Sequence, residues 1–240
     1  MRTSKWIEFR NKSVISADLY LYDEIGEWGT VANDVRSEIQ ALNTKQINLF
    51  INSPGGSVFE GFAIYNLLRN HKARVVAYVD GIAASIASVI LCAADEIIMR
   101  ENGMVMIHDP SGGTMGTASE QRKLADILDK ITDSIVQAYQ NRTGKSDADL
   151  RRLMAEETWF NAREAVAMGF ADKVEGALKA VAKFDLTSFK RPPKPKSILD
   201  QFSAITDAEE KSAFHRRHSD KIDQELERRR VVASNKARGF

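Results

Sequence analysis

Between Asp18 and Met99, short β-rich runs alternate with segments of helical apolar spacing, and that alternation restricts the possible folds more than any other feature of the chain. Asp18-Leu-Tyr-Leu-Tyr22, Gln46-Ile-Asn-Leu-Phe-Ile51, Arg74-Val-Val-Ala-Tyr-Val79 and Glu96–Met99 read as strands. A less regular run at 5–10 precedes them, and Met104–Ile107 follows. Val31, Val35, Ile39 and Leu42 fall on one helical face, and a second helix is expected from the Asn52-Ser-Pro-Gly-Gly56 turn to about Arg69. Gly81 opens Ile82-Ala-Ala-Ser-Ile-Ala-Ser-Val-Ile-Leu91, which has the length of a helix and is too apolar to be exposed. Helices between strands are what parallel pairing requires, because a parallel connection needs a dozen residues or more. The predicted fold is therefore α/β, with crossover units stacked around a largely parallel sheet.

A long helix comes next. Thr117-Ala-Ser-Glu120 is a capping box, Leu124, Ile127, Leu128, Ile131, Ile135, Val136 and Tyr139 form an apolar stripe, and Gly144 ends it. At about 26 residues and about 39 Å it is longer than a domain of this size needs. It is expected to project and pack against another subunit. Ser146–Glu156 and Asn161–Met168 are shorter helices, the latter with Asn161 at its N-cap, Glu164 at the third position and Gly169 just past its end.

Charge divides the 240-residue chain. Residues 191–240 hold twelve Lys and Arg against eight Asp and Glu, while residues 1–190 are slightly acidic. The break falls in Lys190-Arg-Pro-Pro-Lys-Pro-Lys196, an extended linker by composition. Three parts are expected: a folded body over 1–189, a linker over 190–197, and a charged tail over 198–240 that is disordered or helical against a partner. A net charge of +1 excludes a nucleic-acid partner held by bulk electrostatics. The single cysteine, Cys92, fits a reducing compartment. The N-terminus has no apolar signal region, and the longest apolar stretch, Ile82–Ala94, is too short to span a bilayer. These features predict a cytoplasmic protein with no membrane partner.

Four features have chemical potential, though each taken singly has an ordinary structural explanation. Asn52-Ser-Pro-Gly-Gly-Ser57 lies between a strand and a helix and leaves backbone N–H groups uncovered, as an oxyanion site requires. Gly81-Ile-Ala-Ala-Ser85 sets a serine in the first turn of the expected buried helix, where the dipole and the Ile86 amide favour a nucleophile. Ala83, two residues before Ser85, departs from Gly-x-Ser-x-Gly. His108 ends an apolar strand, where a general base would sit; Ser88 is the packing serine one turn beyond Ser85. Glu156-Glu157 precede an apolar turn, and a buried carboxylate there could orient His108. No His/Cys cluster, P-loop or dinucleotide fingerprint is present, so neither metal nor organic cofactor is expected.

Taken together, Asn52-Ser-Pro-Gly-Gly56, Gly81-Ile-Ala-Ala-Ser85, Met106-Ile-His-Asp-Pro110 with Gly112-Gly113, and Ala162-Arg-Glu-Ala-Val166 through Gly169-Phe-Ala-Asp172 resemble the Clp-type serine peptidases, the ClpP family, from about Asp18 to Val174. The resemblance implies a crotonase-like superhelix of β-β-α units with a projecting handle, made of a Gly112–Gly116 strand and the long helix. It implies Ser85 as nucleophile, His108 as general base, Glu157 where the family usually has aspartate (Glu156 being the alternative), and Gly56 and Ile86 as oxyanion amides. It further implies polypeptide substrates and a homo-oligomeric ring, possibly two stacked rings. The stretch before Asp18 shows no counterpart of the family's pore loops, which counts against an ATPase unfoldase as partner. The short front, the Asp18–Gly26 opening, Thr158-Trp159 and the tail are more similar to the ClpP-related head maturation proteases of bacteriophages, implying capsid or scaffold substrates. Rival readings are a crotonase-like acyl-CoA enzyme, a serine–lysine peptidase using Lys123 or Lys130, and a catalytically inactive assembly protein.

Overall fold

The computed structural model describes residues 7–10, 13–27 and 29–176; the linker and tail expected beyond 189 lie outside these residues. Strands β1 (Ile7–Arg10), β2 (Ser16–Leu21), β3 (Gln46–Ser53), β4 (Arg74–Ala84), β5 (Glu96–Arg100) and β8 (Lys173–Glu175) lie side by side in that order. All neighbours are parallel except β1, which runs antiparallel to β2. Helices α1 (Ala32–Gln40) and α2 (Val58–Arg69) are the crossovers between β2 and β4. This is the mixed α/β architecture expected from the alternation.

Alternate residues of the central strands build the core. Leu19 and Leu21, Leu49 and Ile51, and Val75, Ala77 and Val79 are buried with Val35, Ile39, Ile64 and Leu68 of the helices. The opposite face carries a half-buried aromatic row, Tyr20–Phe50–Tyr78, stacked at 4.7 and 4.9 Å between centroids. It ends in Arg100, whose guanidinium lies over Tyr78 and pairs with buried Asp80 at 3.0 Å.

β4 departs most from the sequence expectation. Ile82–Leu91 was expected to be one helix, but the strand continues to Ala84, and α3 spans only Ile86–Leu91. Pairing explains this. The first half of β4 bonds to β5 (Val76–Val79), and its last residues bond in parallel to β6 (Met104–Ile107) through Ile82, Ala83 and Ala84. The turn between the halves is made at Gly81, where a Cβ would meet Asn52 Oδ1 at 2.5 Å; that same oxygen accepts the Ile82 N–H. Two further strands were not anticipated: β8, and β7 (Thr158–Asn161), which runs antiparallel to β6. The expected Gly112–Gly116 strand is not formed; the segment is an exposed loop, and no strand among the described residues pairs with it.

Helix α4 (Ala118–Thr143) has the predicted ends: a Thr117–Glu120 capping box and a left-handed Gly144. Its two halves differ. Ile135, Val136, Ala138 and Tyr139 are buried, whereas Leu124 and Leu128 are half-buried and Ile127 is 48 % exposed. The second half is anchored by an aromatic cluster in which Tyr139 meets Phe170 edge-on and Phe170 stacks on Phe160. Burying each such ring contributes about 2–3 kcal/mol. α5 (Asp147–Ala155), capped by Ser146, and α6 (Ala162–Ala167), capped by Asn161 as the sequence predicts, follow.

Cys92, at the end of α3, is buried in this core, and burial pushes its thiol up to about 12. The native protein is therefore expected to resist iodoacetamide at pH 8 over hours, with one thiol per chain reacting after unfolding in guanidinium. Rapid alkylation of the native protein would contradict the packing of α3.

Candidate active site

Four chain segments converge at the end of β4. Ser85 is the hinge between β4 and α3, with φ +54° and ψ −131°, a conformation that costs an L-residue about 1–3 kcal/mol. The surroundings hold it there. Its N–H donates to the Met106 carbonyl of β6 at 3.0 Å, and its own carbonyl accepts from the Ser88 N–H at 2.9 Å and the Ser88 hydroxyl at 2.5 Å. The strand thus delivers Ser85 to a sharp turn into a helix. The sequence placed it in the helix itself.

His108 immediately follows β6, the strand paired to the end of β4. Pairing of Ala84 with Met106 brings the two side chains together across 23 residues, and Ser85 Oγ and His108 Nε2 are 2.8 Å apart. Both residues are half-buried, reachable from solvent yet held by the sheet. Lys123 and Lys130 stand on the exposed half of α4, and it is His108 that the Ser85 hydroxyl meets.

The two glutamates differ sharply. Glu157 is 6 % exposed and adopts φ +49° between α5 and β7. β7 pairs antiparallel with β6, Thr158 opposite Ile107, so Glu157 precedes and His108 follows the last pair of that ladder. The indole N–H of Trp159 donates to the Glu157 carboxylate at 3.4 Å. Glu156 is exposed and pairs with Arg152 at 3.6 Å.

The Ser-Pro-Gly-Gly turn closes the other side. The Ile25 N–H donates to the Gly55 carbonyl and the Ser57 N–H to the Ile25 carbonyl, both at 2.7 Å. The Gly55 carbonyl faces Ile25, so the Gly56 N–H of the same trans peptide points away from Ile25. The Ile86 N–H is the first of α3 and has no carbonyl of its own helix to meet. Gly55 packs closely against the serine: a Cβ there would stand 2.7 Å from both the Ala84 oxygen and Ser85 Cβ. A hydroxyl within hydrogen-bond reach of an imidazole, beside a glycine turn and the first amide of a helix, has the elements of acyl transfer.

Sequence reasoning missed three supporting residues. Gly55 was read only as one of two turn glycines, although its φ of +96° and the approach of its Cα to Ser85 tie it directly to the serine. Trp159 was legible as part of the Thr158-Trp159 pair but not as a partner of Glu157, because alternation over a strand of four residues is too short a signal to orient it. Tyr139, read as one member of the α4 stripe, reaches Ser88 beneath the nucleophile. Among the described residues, no group of three or more His, Cys, Asp and Glu side chains is gathered to hold a metal ion, and no helix is long and apolar enough to cross a membrane.

Residues 2–177 match the family model for Clp protease. The match begins ahead of Asp18, so the front that the sequence reading left without a counterpart falls within it. Similar curated proteins include the "ATP-dependent Clp protease proteolytic subunit" of Chlorella vulgaris, 32% identical over 178 residues, covering 72% of this chain and 88% of that protein. "ATP-dependent Clp protease proteolytic subunit 2" of Thermobifida fusca is 35% identical over 150 residues, 60% of this chain and 74% of its own. The corresponding subunit of Oltmannsiellopsis viridis is 30% identical over 178 residues, 72% and 90%.

Gly55 supplies a test of the geometry. Gly55→Ala is expected to destabilise the fold by about 1–3 kcal/mol, through strain at positive φ and overlap with Ser85. Gly113→Ala, with nothing within 4 Å of its Cβ, should stay within about 0.5 kcal/mol of the parent. Chemical denaturation measures both, and equal stabilities would contradict the close approach of the Gly55 turn to Ser85.

Proposed function

This chain belongs to the Clp protease family of serine peptidases, and we propose that Ser85 is its nucleophile, His108 its general base, Glu157 the orienting acid, and Gly56 and Ile86 the donors to the oxyanion. The observation that carries this reading is the 2.8 Å approach of Ser85 Oγ to His108 Nε2. As Oγ attacks the scissile carbonyl, His108 takes its proton. The tetrahedral oxygen is held by the two amides, each such donor worth about 10²–10³ in rate. His108 then protonates the leaving amine, and water repeats the steps on the acyl-enzyme. Burial of Glu157, its place across the strand pair from His108, and the exposure of Glu156 support Glu157 as the acid. The extra methylene relative to aspartate is accommodated by its left-handed backbone, which draws the residue back before β7.

The enzyme acts on polypeptides in a homo-oligomeric ring. The half-exposed apolar stripe on the front of α4 and the open 112–116 loop support a contact between subunits there. Capsid and scaffold proteins of a bacteriophage are the proposed substrates, supported by the Asp18–Gly26 opening, Thr158-Trp159 and the charged segment after the Lys190–Lys196 linker. The relatives' names carry ATP dependence, which supports an ATPase partner for this chain as well. The body over 1–189 is proposed to be the peptidase and the tail over 198–240 a recruitment segment.

A fluorophosphonate probe with peptide mapping tests the assignment. Label is expected at Ser85 and to vanish in His108→Ala; Glu157→Gln should lower peptide hydrolysis by roughly 10²–10⁴-fold, and Lys123→Ala and Lys130→Ala should leave it unchanged. Label elsewhere, or full activity in His108→Ala, would refute the mechanism. Truncation after Phe189 is expected to preserve hydrolysis of a model peptide while abolishing cleavage of scaffold protein; loss of both would refute the division of labour.

A further inference from the structure

Beneath the nucleophile lies a pair of hydroxyls that this reaction does not use. Ser88 and Tyr139 are 0 % and 1 % exposed, and their oxygens are 2.7 Å apart. Ser88 Oγ also donates to the Ser85 carbonyl at 2.5 Å. A serine hydroxyl has one proton. With that proton spent on Ser85, Ser88 Oγ can only accept from Tyr139, so Tyr139 is the donor. Burial, the main influence on the Tyr139 phenol, pushes it far above its ordinary value and keeps that proton in place. Donation therefore runs in one direction, from Tyr139 on α4 through Ser88 to the carbonyl of Ser85.

That carbonyl belongs to the same peptide group as the Ile86 N–H. The group is planar and trans, so its C=O and N–H point in opposite directions. Holding the oxygen inward on Ser88 fixes the N–H outward. A residue at φ +54° is in a backbone conformation that its own side chain disfavours, so the plane is kept by these bonds and by the Ser85 N–H on Met106.

We propose that Ser88 and Tyr139 are positioning residues, whose hydroxyl relay sets the Ser85–Ile86 peptide plane and thereby aims the Ile86 N–H at the oxyanion. The inference rests on the assignment of Ser85 as nucleophile. Neither side chain touches substrate, and both act through the backbone. The sequence pattern offers ordinary roles for each, a packing serine and a stripe tyrosine, and only the fold brings them together across 51 residues.

The test compares the full-length protein with Tyr139→Phe, Ser88→Ala and the double variant, using a chromogenic peptide and a peptide boronic acid. The boronate adduct on Ser85 is tetrahedral and places an oxygen where the oxyanion forms. Hydrolysis is expected to slow about tenfold in Ser88→Ala and about threefold in Tyr139→Phe, all in kcat, with KM within about twofold. The boronate inhibition constant should rise by the same factors. The double variant should match Ser88→Ala, because Tyr139 acts only through Ser88. Tyr139→Phe retains the ring packed on Phe170, so thermal melting verifies its fold even where Ser88→Ala is unstable. Unchanged kcat, losses that multiply in the double variant, or slowed hydrolysis with boronate affinity intact would each overturn the proposal. A parent protein that hydrolyses no peptide and binds no boronate would overturn the assignment of Ser85 itself, and the relay with it; a parent that does both while the variants behave identically would overturn the relay alone.

Discussion

The whole arrangement depends on where β4 stops. Its last three residues are held by β3 on one side and β6 on the other, and the chain must then turn at once into α3. The turn falls on Ser85, at a positive φ that is unfavourable in isolation and is maintained by hydrogen bonds to its N–H and its carbonyl. One backbone event has several results. It lifts the hydroxyl out of the sheet, frees the first amide of α3, and places both beside the turn after β3. The same pairing of β4 with β6 delivers His108, and that of β6 with β7 delivers Glu157. The site is a consequence of strand order, and small residues at 81, 83 and 84 make that order possible by letting the backbones close up.

Much of the framework was legible because it rests on strong periodicities. The central strands alternate, the α4 stripe runs over about four turns, and the caps at Thr117, Ser146 and Asn161 have the chemistry that helix ends need. Ile82–Ala84 was misread for a physical reason. A short, wholly buried strand has no polar face, so its pattern equals that of a buried helix, and only the neighbouring strands settle it. β7 and β8, with four and three residues, are below the length at which alternation is informative. The contact between Ser85 and His108 could not be read from spacing, since it is a product of tertiary pairing. The motif resemblance pointed to it, and the coordinates supply the distance. Glu157 over Glu156 was a choice the sequence left open, because burial, which distinguishes them in the fold, has no local signal in two adjacent glutamates.

α4 serves two surroundings with one helix. Its second half is part of the body and carries Tyr139 to the floor of the site, while its first half keeps half-exposed leucines and Ile127 outside the core. A stripe of this kind, continuous in sequence and divided in burial, is what a helix shared between a subunit and its assembly looks like. The Ser85 turn is thus tied to α4 through the hydrogen bond between Ser88 and Tyr139.

The central claim, that the hydroxyl of residue 85 and the imidazole of residue 108 form one reacting pair, is tested most directly with a peptide chloromethyl ketone. Such a reagent needs the serine to add to its ketone before it alkylates the adjacent imidazole. Mass spectrometric mapping should find the alkyl group on His108 Nε2, and Ser85→Ala should suppress it. Modification of His71 instead, or of His108 at an undiminished rate without the serine, would contradict the account.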